Sequence, residues 1–175
     1  MRYLLLLILV AAASCGNTFF IVRHAEKAVP DSGQMQGSQV SNADPPLSEA
    51  GKLRAIELRQ MLKDDNVQHI FSTNFIRTIS TAQPLNELRG NTHIELYSPS
   101  KDSIDAFIRK LKSIKKGNVL VVGHSNTVDD LTNKLSGKTV VPGDLKDSDY
   151  DNLFVVKRKG NRYIFTGKKY GTPSK

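Results

Sequence analysis

The chain has 175 residues, 39% of them hydrophobic and 24% charged, which suits one domain with a sizeable core and excludes global disorder. Its single cysteine excludes an intrachain disulfide and zinc-finger spacing. The formal net charge of +8 sits partly in short clusters, Lys115-Lys116, Lys157-Arg158-Lys159 and Lys168-Lys169, which read first as a solvated basic surface. Their functional readings are anionic substrates or an anionic membrane face instead of nucleic acid, since they lack the interleaved aromatics of an RNA-binding surface.

Met1-Arg2-Tyr3 supplies a positive start, and Leu4 to Ala13 is an unbroken apolar run ending in small residues. A run of about ten is too short to span a bilayer as a helix but fits the core of a signal peptide. Ala12-Ala13-Ser14-Cys15 resembles a bacterial lipobox, so residues 1–15 read as a lipoprotein signal with Cys15 as the lipidated residue. Simple cleavage near Ala11-Ala12-Ala13 is the alternative. A buried N-terminal strand or helix is the third reading. With either signal the expectation is export to the periplasm or cell exterior, and lipidation would anchor the protein to the membrane.

Residues 18–170 read as one domain. Thr18 to Val22 is a continuous apolar run of strand formers, a buried strand of a parallel or mixed sheet. Residues 28 to 46 form a long polar loop rich in Pro, Gly, Ser and Gln, and loops of this length are often functional. Leu47 to Lys63 has helical spacing, with Ser48 able to cap it. Val67 to Ser72 is a second buried strand. Phe75 to Leu88 is helical, with Pro84 a point where it kinks or ends. Ile94 to Tyr97 is a short strand, and Ser100 to Ile114 a helix with Ile104, Phe107, Ile108, Leu111 and Ile114 on one face. Asn118 to Val122 is the third strong strand, and Thr127 to Leu135 is helical. Asp151 to Lys157 and Arg162 to Thr166 alternate as strands around a turn at Lys159-Gly160-Asn161. The order predicts an α/β fold: a three-layer α/β/α sandwich with a mostly parallel central sheet and a C-terminal antiparallel hairpin at its edge.

Ligands of open α/β sheets bind beyond the carboxyl ends of the strands. The first strand ends at Arg23-His24. The second ends at Ser72-Thr73-Asn74, with Arg77 opening the next helix, and the third ends at Gly123-His124-Ser125-Asn126-Thr127. Two histidines and two arginines can therefore converge. Arginine binds phosphoryl oxygens with paired N–H donors. A histidine beside such cations stays neutral and nucleophilic near pH 7. Phosphoryl transfer needs mainly positioning and charge neutralisation, which this set supplies without a metal.

Four blocks resemble the histidine phosphatase superfamily, the phosphoglycerate-mutase-like proteins, and come in that family's order over roughly residues 18 to 135. They are Arg23-His24-Ala25, Pro46-Leu47-Ser48-Glu49-Ala50-Gly51, the stretch from Phe71 through Arg77 to Thr81-Ala82, and Val121-Val122-Gly123-His124-Ser125. The resemblance implies a phosphomonoesterase without a cofactor, acting on a small-molecule or protein phosphoester. His24 would form the phosphohistidine, and Arg23, Arg77 and His124 would hold the phosphoryl group. Ser125, Asn126 and Thr127 could add hydrogen bonds, though capping the next helix also suits Thr127. The proton donor to the leaving group would be a carboxylate after the second block: Glu95 first, with Asp44 and Asp102 as alternatives. Glu26 and Lys27 would face the entrance.

Three rival readings stay open. A nucleophile elbow at Ser125 would make an esterase, but Thr127 stands where that pattern needs glycine. A non-catalytic phosphate- or phosphoprotein-binding module would use the same residues. A mutase is the third, although the compact stretch from Arg77 to Gly117 favours hydrolysis.

Overall fold

The computed structural model describes residues 16–29 and 44–174. The leader with Cys15, and most of the polar loop, lie outside them.

Six strands form one sheet in the order β3-β2-β4-β1-β5-β6. They are β1 (Thr18–Arg23), β2 (Val67–Ser72), β3 (Ile94–Leu96), β4 (Asn118–Gly123), β5 (Asn152–Lys159) and β6 (Arg162–Lys169). The first four run parallel, while β5 lies antiparallel to β1 and β6 antiparallel to β5. Helices α1 (Glu49–Leu62), α2 (Ile76–Leu88), α3 (Lys101–Ser113) and α4 (Val128–Ser136) cover both faces. Phe19 and Ile21 point to the side holding α3 and α4, with Ile104, Phe107 and Leu131. Phe20 and Val22 point to the side of α1 and α2, with Leu58, Leu62 and Leu85. Because both faces are covered, β1 and β4 read as unbroken apolar runs instead of alternating ones.

Helix α1 departs from the sequence reading at its start and helix α2 keeps its expected end, each for a physical reason. Helix α1 starts at Glu49, because Ser48 accepts a hydrogen bond from Gly51 N and Leu47 bridges to Lys27 as extended chain. Helix α2 continues through Pro84 to Leu88; Ala82 and Leu85, either side of the proline, are fully buried in the core. The parallel strands all end at one pole of the sheet, which fixes where chemistry can be assembled.

Candidate active site

β1 and β4 deliver the two histidines side by side. Their registers pair Arg23 with Gly123, and His24 N donates to Gly123 O at 2.9 Å beyond the last ladder bond. The two imidazole centroids lie 5.5 Å apart. His24 Nδ1 contacts Ala25 O at 2.7 Å. A carbonyl only accepts, so Nδ1 carries the proton and Nε2 keeps its lone pair. Burial pushes the His24 imidazole down to about 3, the charges of Arg23 and Arg77 adding to the effect. It is neutral at physiological pH.

The Ala25-Glu26 turn is clamped. Ala25 N donates to Thr81 Oγ1, which itself donates to Arg77 O. Ser48 N donates to Glu26 O. A Cβ on Gly51 would lie 2.2 Å from Glu26 O, so glycine alone lets the start of α1 close over the residues after His24. This gives the Leu47-Ser48-Glu49-Ala50-Gly51 block a physical reason.

His124 is oriented from both nitrogens. Arg77 Nη2 approaches Nδ1 at 3.4 Å, and Thr73 Oγ1 lies 2.9 Å from Nε2. A guanidinium only donates, so Nδ1 accepts and the proton sits on Nε2, donated to Thr73. Thr73 is in turn bonded to Thr78 Oγ1 at 2.9 Å. Burial, then the charges of Arg77 and Arg23, push His124 down to about 4. Thr127 Oγ1 accepts from His124 N and donates to His124 O, holding the turn that begins α4.

Arg23 is only 3% exposed. Its Nη1 donates to Lys146 O and Asp147 O at 2.7 and 3.1 Å, and its guanidinium lies 4.2 Å from the Tyr150 ring centroid. Arg23 Nε is buried without a partner among the described residues. Arg77 lies over Phe75 and donates to Asp44 Oδ1 at 3.1 Å, while Asp44 also accepts from Ile76 N at the start of α2.

A cavity of about 640 Å³ opens here, lined by Arg23, His24, Lys27, Arg77, His124, Ser125, Asn126, Thr127 and Asp147, with Ser98 to Ser100 on another wall. The structure therefore brings together Arg23, His24, Arg77, His124, Ser125 and Asn126. It does not bring Glu95. Glu95 leaves β3 on the α3 side and pairs with Lys110, so the proton-donor role is corrected at this position. Asp102 is exposed on α3 and does not line the cavity, and Asp44 is spent on Arg77 and the α2 start. Glu26 turns away to a bidentate pair with buried Arg54, leaving Lys27 alone at the cavity. Thr73, Asp147 and Tyr150 are the residues that sequence reasoning missed. Thr73 had a signal in its place at the end of the second strand; Asp147 and Tyr150 lie in a segment without periodicity. Among the described residues no group of three or more His, Cys, Asp or Glu is placed to hold a metal.

Residues 19–98 match the family model of the histidine phosphatase superfamily, branch 1. The likeness to that superfamily in sequence thus covers just under half of the chain. The match stops short of His124, which the fold returns to the same site. Solved structures with the histidine phosphatase fold extend the likeness over nearly the whole chain. One is a protein of Agrobacterium tumefaciens assigned as the phosphohistidine phosphatase SixA (TM-score 0.61, 17% identity, 90% of this chain and 99% of that one). A second is the phosphoserine phosphatase of Entamoeba histolytica (0.60, 14%, 89% and 98%). A third is a mycobacterial glucosyl-3-phosphoglycerate phosphatase (0.60, 15%, 90% and 100%). At these identities the likeness is one of fold. No curated protein matches the chain in sequence.

Proposed function

We propose that the chain is a phosphomonoesterase working through a phosphohistidine on His24. The observation that carries this is the lone pair of His24 Nε2, held by the Nδ1–Ala25 bond in a neutral imidazole beside two arginines. In this reading His24 Nε2 attacks phosphorus, the P–O bond to the leaving group breaks, and the leaving oxygen takes a proton. Arg23, with its unpartnered Nε, and Arg77 neutralise the phosphoryl oxygens. Ser125 and Asn126 complete the cradle, while His124, donating its Nε2 proton to Thr73 and accepting from Arg77 at Nδ1, positions Arg77. Asp147, fully exposed at the cavity mouth with its Oδ1 3.7 Å from Arg23 Nη2, is the described carboxylate that lines the cavity, so in this reading it takes the proton-donor role in place of Glu95. Water then attacks phosphorus, the P–N bond breaks, its proton passes to the Asp147 carboxylate, and His24 is regenerated.

The fold relatives favour hydrolysis of a phosphoester, and the mycobacterial phosphatase is known in complex with VO3. The test is rapid quenching after mixing with a labelled phosphoester. A burst of labelled phosphohistidine should appear and should be lost in His24→Ala. Full activity in His24→Ala would end the mechanism. A wild-type protein that binds phosphate or vanadate but neither labels nor turns over any phosphoester would leave the non-catalytic binding module standing.

A further inference from the structure

The pole opposite the catalytic cavity is where the chain enters the fold. Asn17, which precedes β1, is buried there: its Nδ2 donates to Ile114 O at 3.2 Å, and its carbonyl accepts from Arg158 N at 2.9 Å. Arg158 Nη1 donates to Ile114 O as well. The entry point is thus gripped between two residues, each adjoining a lysine pair. Lys115 and Lys116 follow Ile114, and Lys157 and Lys159 flank Arg158. All four lysines are exposed, and none is paired with a carboxylate among the described residues.

The cationic surface continues beyond the entry point. Lys112, Lys138 and Arg162 line a cleft of about 500 Å³ between the end of α4 and the hairpin turn, together with Tyr163 and the exposed Ile164. The acids on this pole include Asp64 and Asp65, in the turn before β2, and Glu87, in the last turn of α2, where the following Arg89 donates to Val67 O. Cations mixed with a tyrosine and an exposed aliphatic side chain suit a lipid headgroup layer better than a bare polyanion.

Upstream of this gripped point the sequence carries the apolar run Leu4 to Ala13, with two residues between Cys15 and β1. A tether that short leaves the body little choice of which end meets a bilayer. We propose that this pole docks on an anionic lipid bilayer, with Lys115, Lys116, Lys157 and Lys159 as its contacts. The catalytic cavity then faces away from the membrane, separated from it by the length of β1, about 20 Å for six residues at about 3.3 Å each.

The full chain should be partitioned into phosphatidylcholine vesicles and into vesicles that also contain phosphatidylglycerol. The ratio of the two isolates charge recognition, because the apolar run contributes to both. A basic residue near an anionic surface is worth about fivefold in partitioning. Lys115→Ala/Lys159→Ala should therefore lower the ratio by about 25-fold, and raising salt should erase it. Lys101→Ala/Lys168→Ala, with the same loss of net charge elsewhere, should leave it unchanged. Equal losses in the two variants would mean that net charge alone acts and no docking face exists. A wild-type ratio near one would overturn the proposal too. So would binding to duplex DNA that is tighter than to the anionic vesicles and lost in the first variant.

Discussion

Thr73 is the most informative position to perturb, because its hydroxyl joins a site residue to the core. It is fully buried and takes the Nε2 proton of His124 at 2.9 Å while bonding Thr78 at 2.9 Å. Thr73→Val keeps the shape and removes the acceptor. A partly buried imidazole N–H is then left without a partner, and Thr78 loses one neighbour but keeps the carbonyls of Thr73 and Phe75 as acceptors. One orphaned buried donor costs about 1–3 kcal/mol, and each kcal/mol lowers the melting temperature of a protein this size by about 2–4 °C. The melting temperature should fall by about 2–12 °C. The ring of His124 is also freed to turn away from Arg77, and misplacing a site group by a fraction of its length costs up to about 100-fold in kcat/KM. Differential scanning calorimetry and steady-state hydrolysis of p-nitrophenyl phosphate read the two effects separately. Thr73→Ser should restore both. A Thr73→Val protein with wild-type melting temperature and wild-type kcat/KM would refute the assigned tautomer and the relay built on it.

Tyr150→Leu removes the ring beneath the Arg23 guanidinium. A partly desolvated stack of this kind is worth about 0.5–2 kcal/mol, so KM should rise by about 2- to 30-fold with kcat little changed, and Tyr150→Phe should behave as wild type. The depressed values of His24 and His124, about 3 and about 4, mean that both rings stay neutral as pH falls through the ordinary histidine range. Their ring-proton NMR shifts should hold steady from pH 7.5 to about 5, and titration of either near pH 6.5 would contradict the burial argument. The sign for stability follows. The unfolded chain binds these protons near pH 6.5 and the folded one only near the lower values, so stability rises with pH across that window and is lost as pH falls through it. Acid urea titrations should show that slope, weakened in His124→Phe.

The parts of the fold legible in sequence were those where burial dictates residue type. β1 and β4 are covered on both faces, so Phe19 to Val22 and Val119 to Val122 are apolar without interruption. Their carboxyl ends lie together because parallel strands with crossover helices leave them no alternative, and that placed Arg23, His24 and His124 at one pole. Glu95 was misread because β3 has three residues, too few for alternation to show which way a side chain leaves the sheet. Ile94 packs toward the α1 and α2 side, so Glu95 must face α3 and Lys110. The clamp on Arg23 was invisible for a different reason. It is made largely of the carbonyls of Lys146 and Asp147, groups that every residue carries.

Asp44 shows how the site balances its own cations. Its carboxylate holds Arg77 and takes Ile76 N at the start of α2, so it orients the arginine while opposing the charge of any phosphoryl ligand that arginine binds. The two effects separate by substitution. In Asp44→Asn the amide oxygen can still accept from Ile76 N and from Arg77, so the geometry survives, and one negative charge beside a dianion is removed. At one guanidinium width in a partly solvated site that charge is worth on the order of 1 kcal/mol. The inhibition constant for orthovanadate should therefore tighten by about fivefold. The helix start loses its anion, which costs about 0.3–1 kcal/mol of stability. Asp44→Ala removes both the charge and the acceptor, leaving Arg77 unanchored, and should weaken orthovanadate inhibition. Opposite signs in the two variants follow only if Asp44 both orients Arg77 and competes with its ligand. Weakening of equal size in both would show that the carboxylate charge itself holds Arg77 in place, and that the ligand never feels Asp44 at all.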